Sequence, residues 1–112
     1  MMSIQTYGPS ALIVSLEEKI DLEINQQIHL LNDLLLKSKQ DGLLYTIPAY
    51  HTLTVVYDPQ TARFSQLESR IRSLGEKLKN SSSINKHRSI SLPVCYDPTL
   101  ALDIEYVMEQ QK

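Results

Sequence analysis

The sequence predicts an α+β domain in which two helices cover one face of a four-stranded antiparallel sheet. Three observations predict it. Short apolar or β-branched runs, bounded by Gly, Pro or Asp, occur at four places. Two longer stretches repeat apolar residues every three or four positions. These segments follow one another as β-α-β-β-α-β, the split βαβ arrangement called ferredoxin-like. Two right-handed crossovers place both helices on one sheet face and leave the other partly open.

Ser10 to Leu16 (SALIVSL) lies between Gly8-Pro9 and Glu17-Glu18-Lys19. A continuous apolar run of that length predicts a central strand. Asp21 supplies an oxygen to cap the next helix, with Glu23 favourably placed in its first turn. Ile24, Ile28, Leu31 and Leu35, widened by Leu30 and Leu34, form its apolar stripe; Asn25, Gln26, His29, Asp33 and Lys37 occupy the other face. This helix stops before Gly42.

Ile47 to Pro59 (IPAYHTLTVVYDP) then describes a hairpin. Leu43, Tyr45 and Ile47 alternate on its first strand, and Leu53, Val55 and Tyr57 on its second. The turn is Pro48 to His51, and Asp58-Pro59 ends the pair. Phe64, Leu67, Ile71, Leu74 and Leu78 predict a second helix, with Ser65 and Glu68 as a capping box and Gly75 inside the pattern. Asn80 to Lys86 is a polar, Ser-rich connector. Ile90, Leu92, Val94 and Tyr96 alternate as a last strand, where Pro93 predicts an edge position or a bulge. Residues 1–96 form the predicted domain. In 97–112, Leu100, Ile104, Val107 and Met108 mark a short tail helix whose stripe requires a partner.

Composition narrows the function classes. With 112 residues the chain has room for one core. Apolar residues make up 42% and charged residues 21%, values of a soluble globular domain. A net charge of -2, with no dense Lys/Arg cluster, argues against nucleic acid. No apolar run reaches membrane-spanning length, and the N-terminus lacks the pattern of a secretory signal. The single cysteine, Cys95, suits a reducing compartment, so the expected location is the cytoplasm.

The search for chemistry is mostly negative. His29, His51, His87 and Cys95 lack metal-ligand spacing. Cys95 reads as a small apolar strand residue, with no base beside it in sequence. Glu17-Glu18 and Asp103 with Glu105 read as solubilising charges, and three scattered glycines build no phosphate loop. Tyr45, Tyr57 and Tyr96 read as core or sheet-face residues. The hairpin tip differs, because at a tight turn Tyr50 and His51 project where a protein partner can meet them. They are the candidate partner-binding residues. Edge strands and the tail helix also predict a capacity for homo-oligomer formation.

Gly8 to Val14 (GPSALIV), Pro48 to Leu53, Tyr57-Asp58-Pro59, Pro93 to Tyr96 and Asp103 to Val107 occur in an order that resembles one family. It is the amino-terminal domain of the bacterial 5-oxoprolinase B subunit. That family includes the sporulation kinase A inhibitor and was formerly labelled allophanate hydrolase subunit 1. Two positions depart from its pattern: Pro9 replaces the usual Asp, and His51 the frequent hairpin Arg. The relatives continue into a cyclophilin-like domain that has no counterpart in these 112 residues, and the tail helix at 97–112 leads toward it. The resemblance implies a complex with the 5-oxoprolinase A and C subunits that hydrolyses 5-oxoproline to glutamate using ATP. It implies no catalytic residue and no cofactor bound by this domain. The alternatives it carries are binding to the dimerisation domain of a sensor histidine kinase, and membership of a urea- or allophanate-processing system.

Overall fold

The computed structural model describes residues 1–80 and 88–112. Its elements are β1 (Ser3–Thr6), β2 (Ala11–Ser15), α1 (Leu22–Lys37), β3 (Leu43–Pro48), β4 (Thr52–Tyr57), α2 (Phe64–Asn80) and α3 (Ile104–Gln110). The four strands form one antiparallel sheet in the order β1-β2-β4-β3.

The α+β class, the antiparallel sheet and both major helices agree with expectation, whereas the βαββαβ order does not. The fourth sheet position, beside β2, is held by the N-terminal β1. The strand expected at 89–96 is not in the sheet, and Ile90, Leu92, Val94 and Tyr96 are all exposed. Chain entropy accounts for the difference. Tyr7 N–H donates to the Ala11 carbonyl at 2.8 Å across a tight turn in which Gly8 has φ +74°. The C-terminal segment has no such short connection to β2, since α1, β3, β4 and α2 intervene. Pro93 would also remove one ladder donor.

The register explains the core. Leu12 pairs with Val55 and Val14 with Leu53, so these side chains share one face. Ile28, Leu31 and Leu35 of α1 and Leu67, Ile71 and Leu74 of α2 close over that face, with Tyr57 and Ala62. Met2 and Ile4 extend the same layer. Met2 lies against Gly75, where an added Cβ would come within 2.9 Å of the Met2 methyl carbon. The glycine inside α2 therefore makes room for the N-terminal strand.

Leu43 pairs with Tyr57 and Tyr45 with Val56, leaving Leu44 as a bulge. Past this bulge Thr46 turns inward and donates to Asn32 Oδ1 at 2.6 Å. Tyr45 and Ile47 are thrown onto the open sheet face, beside Val56 and Thr54. Of the three tyrosines read as core or sheet-face residues, Tyr57 is core, Tyr45 is on the open face, and Tyr96 is off the sheet. Cys95, expected to be buried, is exposed.

Local signals at the helix ends are partly as expected. Asp21 Oδ1 accepts from Glu23 N–H at 2.9 Å and caps α1. The Ser65–Glu68 box is corrected: α2 begins at Phe64, and Gln66 Oε1 reaches back to Arg63 N–H at 3.1 Å. Glu68 instead pairs with Arg72 one turn on, at 2.8 Å. Residues 81–86 of the Ser-rich connector, and His87, lie outside the described residues.

Two glycines share a left-handed backbone but differ in surroundings. Gly8 has open space around it, whereas a Cβ on Gly42 would lie 2.6 Å from Ala62 Cβ and 2.9 Å from its backbone nitrogen. Gly8→Ala is expected to cost about 1–2 kcal/mol from backbone conformation alone. Gly42→Ala adds steric overlap, for a total of about 2–5 kcal/mol. Denaturant unfolding checks the ranking, and equal losses would contradict the close β3–α2 approach.

Candidate functional site

The hairpin tip is held from three directions. Ala49 N–H donates to the Thr52 carbonyl at 2.8 Å, closing the turn. Leu16 N–H, just past β2, donates to the His51 carbonyl at 2.9 Å. Asn25, in the first turns of α1, donates its amide to the Tyr50 carbonyl at 3.0 Å and more weakly to Ala49 at 3.4 Å. The backbone under Tyr50 and His51 is thereby tied to strand and helix, so their side chains project from a fixed turn.

Tyr50 is 44% exposed and His51 is half-buried. Among the described residues, neither the Tyr50 hydroxyl nor the His51 ring has a hydrogen-bond partner. Both line an open depression of about 400 Å³ with Glu18, Lys19 and Ile20. Ile20, one of its lining residues, stands largely in solvent at 89% exposure. An aromatic ring, an aliphatic side chain and a mixed polar rim suit recognition of a protein surface. The structure brings Tyr50 and His51 into one depression with Ile20, a neighbour of the capping Asp21 that sequence reasoning does not single out.

Asp21 joins this surface to helix α1. One carboxylate oxygen accepts from Glu23 N–H and the other is 3.2 Å from Lys19 Nζ. The backbone hydrogen bond first, and the Lys19 ammonium second, hold its carboxyl below the usual carboxylate range. Asx geometry recurs elsewhere. Asp58 Oδ1 accepts from Gln60 N–H at 3.0 Å and Asp97 Oδ1 from Thr99 N–H at 2.9 Å. Thr99, through its hydroxyl and backbone, also lowers the Asp97 pKa.

No cluster of three metal-ligating side chains occurs among the described residues. His29 is exposed on α1. A second, more enclosed groove of about 360 Å³ runs between the N-terminus and both helices, past Met2, Leu16, Leu31 and Arg72. No described helix is long and apolar enough to cross a membrane.

Because the Asp21 carboxyl is depressed in the fold, its stabilisation is complete above the unfolded pKa and is lost as pH falls through the folded one. Asp21→Asn keeps a capping oxygen but not the charge. The Tm gap between wild type and Asp21→Asn should therefore close as pH falls from about 7 to about 2. A gap constant over that range would contradict the ionic contribution.

Known proteins share this geometry. Residues 2–112 match the family model for the carboxyltransferase domain, subdomain C and D. The chain is 30% identical to the 5-oxoprolinase B subunit of Bacillus subtilis (strain 168), over 93% of its own length and 47% of that protein. It thus spans about half the length of this relative. A conserved uncharacterized protein from Pyrococcus horikoshii superposes with a TM-score of 0.65 at 31% identity, covering 70% of this chain and 36% of that one. The N-terminal domain of the histidine kinase inhibitor KipI from Bacillus subtilis matches with a TM-score of 0.61 at 20% identity. That match covers 70% of this chain and 87% of KipI's domain, and at such identity it shows the fold alone. On the family match and the 5-oxoprolinase likeness together, the chain belongs to the carboxyltransferase domain, subdomain C and D family.

Proposed function

We propose that this chain is the docking part of a protein like the 5-oxoprolinase B subunit, working in the cytoplasm within a complex that hydrolyses 5-oxoproline to glutamate with ATP. The observation that carries this reading is the 30% identity to that relative across 93% of the chain. The surface supports a docking role, because its candidate residues are an aromatic ring and an imidazole on a fixed turn. Tyr50 and His51 bind the A or C subunits in this reading, and ATP is used elsewhere in the complex.

A second reading is suggested by the shared fold of the KipI N-terminal domain together with the family membership. In it the same hairpin tip docks against the dimerisation domain of a sensor histidine kinase and hinders phosphotransfer. The two readings use one surface and differ in partner.

The Tyr50→Ala, His51→Ala double variant distinguishes surface from scaffold. It should melt within a few degrees of wild type, because Tyr50 is partly exposed and His51 holds Leu16 through its backbone. Its affinity for the purified A and C subunits should fall at least about tenfold, as for loss of an aromatic anchor. Isothermal titration calorimetry provides the readout. Unchanged affinity in a folded variant would overturn the assignment of the tip. Binding to a kinase dimerisation domain, without binding to either 5-oxoprolinase partner, would transfer it to the second reading.

A further inference from the structure

The two edges of the sheet are built differently. β3, at one end, carries the Leu44 bulge and finishes on Pro48. Ala49 N–H bonds the Thr52 carbonyl, so the next residue back, Pro48, falls on the outward flank and has no N–H to offer there. Bulges and prolines are the usual means of keeping a second strand off an edge. β1, at the other end, has neither. Its register with β2 runs unbroken from Ser3–Ser15 to Thr6–Leu12. It contains no proline, and the first charged side chain of the sequence is Glu17.

The outward main-chain groups of β1 follow from the ladder. Tyr7 N–H donates to the Ala11 carbonyl at 2.8 Å, which sets the alternation along the strand. Tyr7, Gln5 and Ser3 turn their N–H and C=O toward β2, and Thr6, Ile4 and Met2 turn theirs away from it. β2 is in the matching phase, because Tyr57 N–H reaches the Ser10 carbonyl and Leu16 N–H reaches the His51 carbonyl on its other flank. Among the described residues, no strand and no loop hydrogen bond covers the outward groups of Met2, Ile4 and Thr6.

This edge is complementary to itself. An antiparallel pairing about a twofold axis at Ile4 sets Ile4 against Ile4 of the second copy and Met2 against its Thr6. It also sets Ser3 against Gln5, and Met1 against Tyr7. All three outward residues of each copy then join the ladder, in about six main-chain hydrogen bonds. A register shifted by two residues in either direction leaves some of them out. Side chains agree with the same register. Met2 and Ile4 are only partly buried by their own copy. Met1 is fully exposed and Tyr7 is 64% exposed, and the pairing lays the thioether of one beside the ring of the other. No charged side chain stands opposite another.

We infer that two copies of this chain associate through β1, antiparallel about Ile4, and so join their four-stranded sheets into one. A second copy is the occupant because β1 and its flanking residues supply both halves of the match. The junction is short. A four-residue strand covers much less than the roughly 800 Å² per partner of a stable interface, so the dimer is weak and depends on concentration. It uses neither Tyr50 nor His51 and is independent of the docking readings above.

The test is sedimentation velocity on the 112-residue chain from about 5 to about 500 μM, a span that brackets a weak dimer. The chain should sediment as a monomer at the low end and move toward a dimer at the high end. Amide exchange at Ile4 and Thr6 should slow at least about tenfold over that range, while Gln5 and Tyr7, already bonded to β2, do not change. Charge placement tests the register. Ser3 and Gln5 are exposed, so substitutions there leave the fold in place. The variants Ser3→Lys, Gln5→Lys and Ser3→Glu, Gln5→Glu each set like charges opposite one another twice, and each should weaken the dimer at least about fivefold. Mixing these two variants should restore association, and Ser3→Glu, Gln5→Lys alone should match or exceed wild type. A chain that stays monomeric throughout would overturn the inference. So would a dimer indifferent to these charges, or like-charged variants that fail to associate when mixed.

Discussion

The structure depends on covering the outer flank of β2. Leu12 and Val14 lie on the same sheet face as Leu53 and Val55, and both helices close over them. A strand so buried cannot leave its other ladder unpaired without a cost of several kcal/mol in unsatisfied backbone groups. β1 meets that requirement because it is next in sequence, through a tight turn at Gly8. Its side chains contribute little beyond Met2 and Ile4, and Gly75 admits Met2 against α2. With β1 in place, the segment at 89–96 lies outside the sheet.

The same logic links core to surface. The α1 stripe seats the helix on the sheet through Ile28, Leu31 and Leu35, and this brings Asn25 to the hairpin tip. Asp21 fixes where α1 begins, and Ile20, just before the cap, lines the same depression as Tyr50 and His51. The interaction surface therefore follows from helix capping and strand register, and requires no strained or catalytic geometry.

Much of this is legible in sequence. The helix α1, its cap at Asp21, the alternation of β4 and the Pro48–His51 turn all follow from local patterns that tertiary packing reinforces. The strand β1 is not, because Ser-Ile-Gln-Thr offers one strongly apolar residue and four residues are too few for alternation to stand out. The signal that could reveal it is Met2, Ile4 and Thr6 alternating ahead of Gly8-Pro9. The segment at 89–96 carries a strand pattern with an edge signal in Pro93, but periodicity cannot say which sheet a strand joins. The Leu44 bulge, which moves Tyr45 and Ile47 to the open face, leaves no mark in the alternation. At the tip, Tyr50 and His51 are visible from turn position, while Ile20 joins them only through the fold.

The most direct measurement of the central claim is a proton NMR map of cross-strand contacts in the intact chain. The account predicts contacts between Ile4 and Val14 and between Thr6 and Leu12, as the β1–β2 register requires, with none from Leu92 or Val94 to β2. Contacts from Leu92 or Val94 to Val14 or Leu12, with Ile4 unpaired, would restore the βαββαβ order and contradict the account.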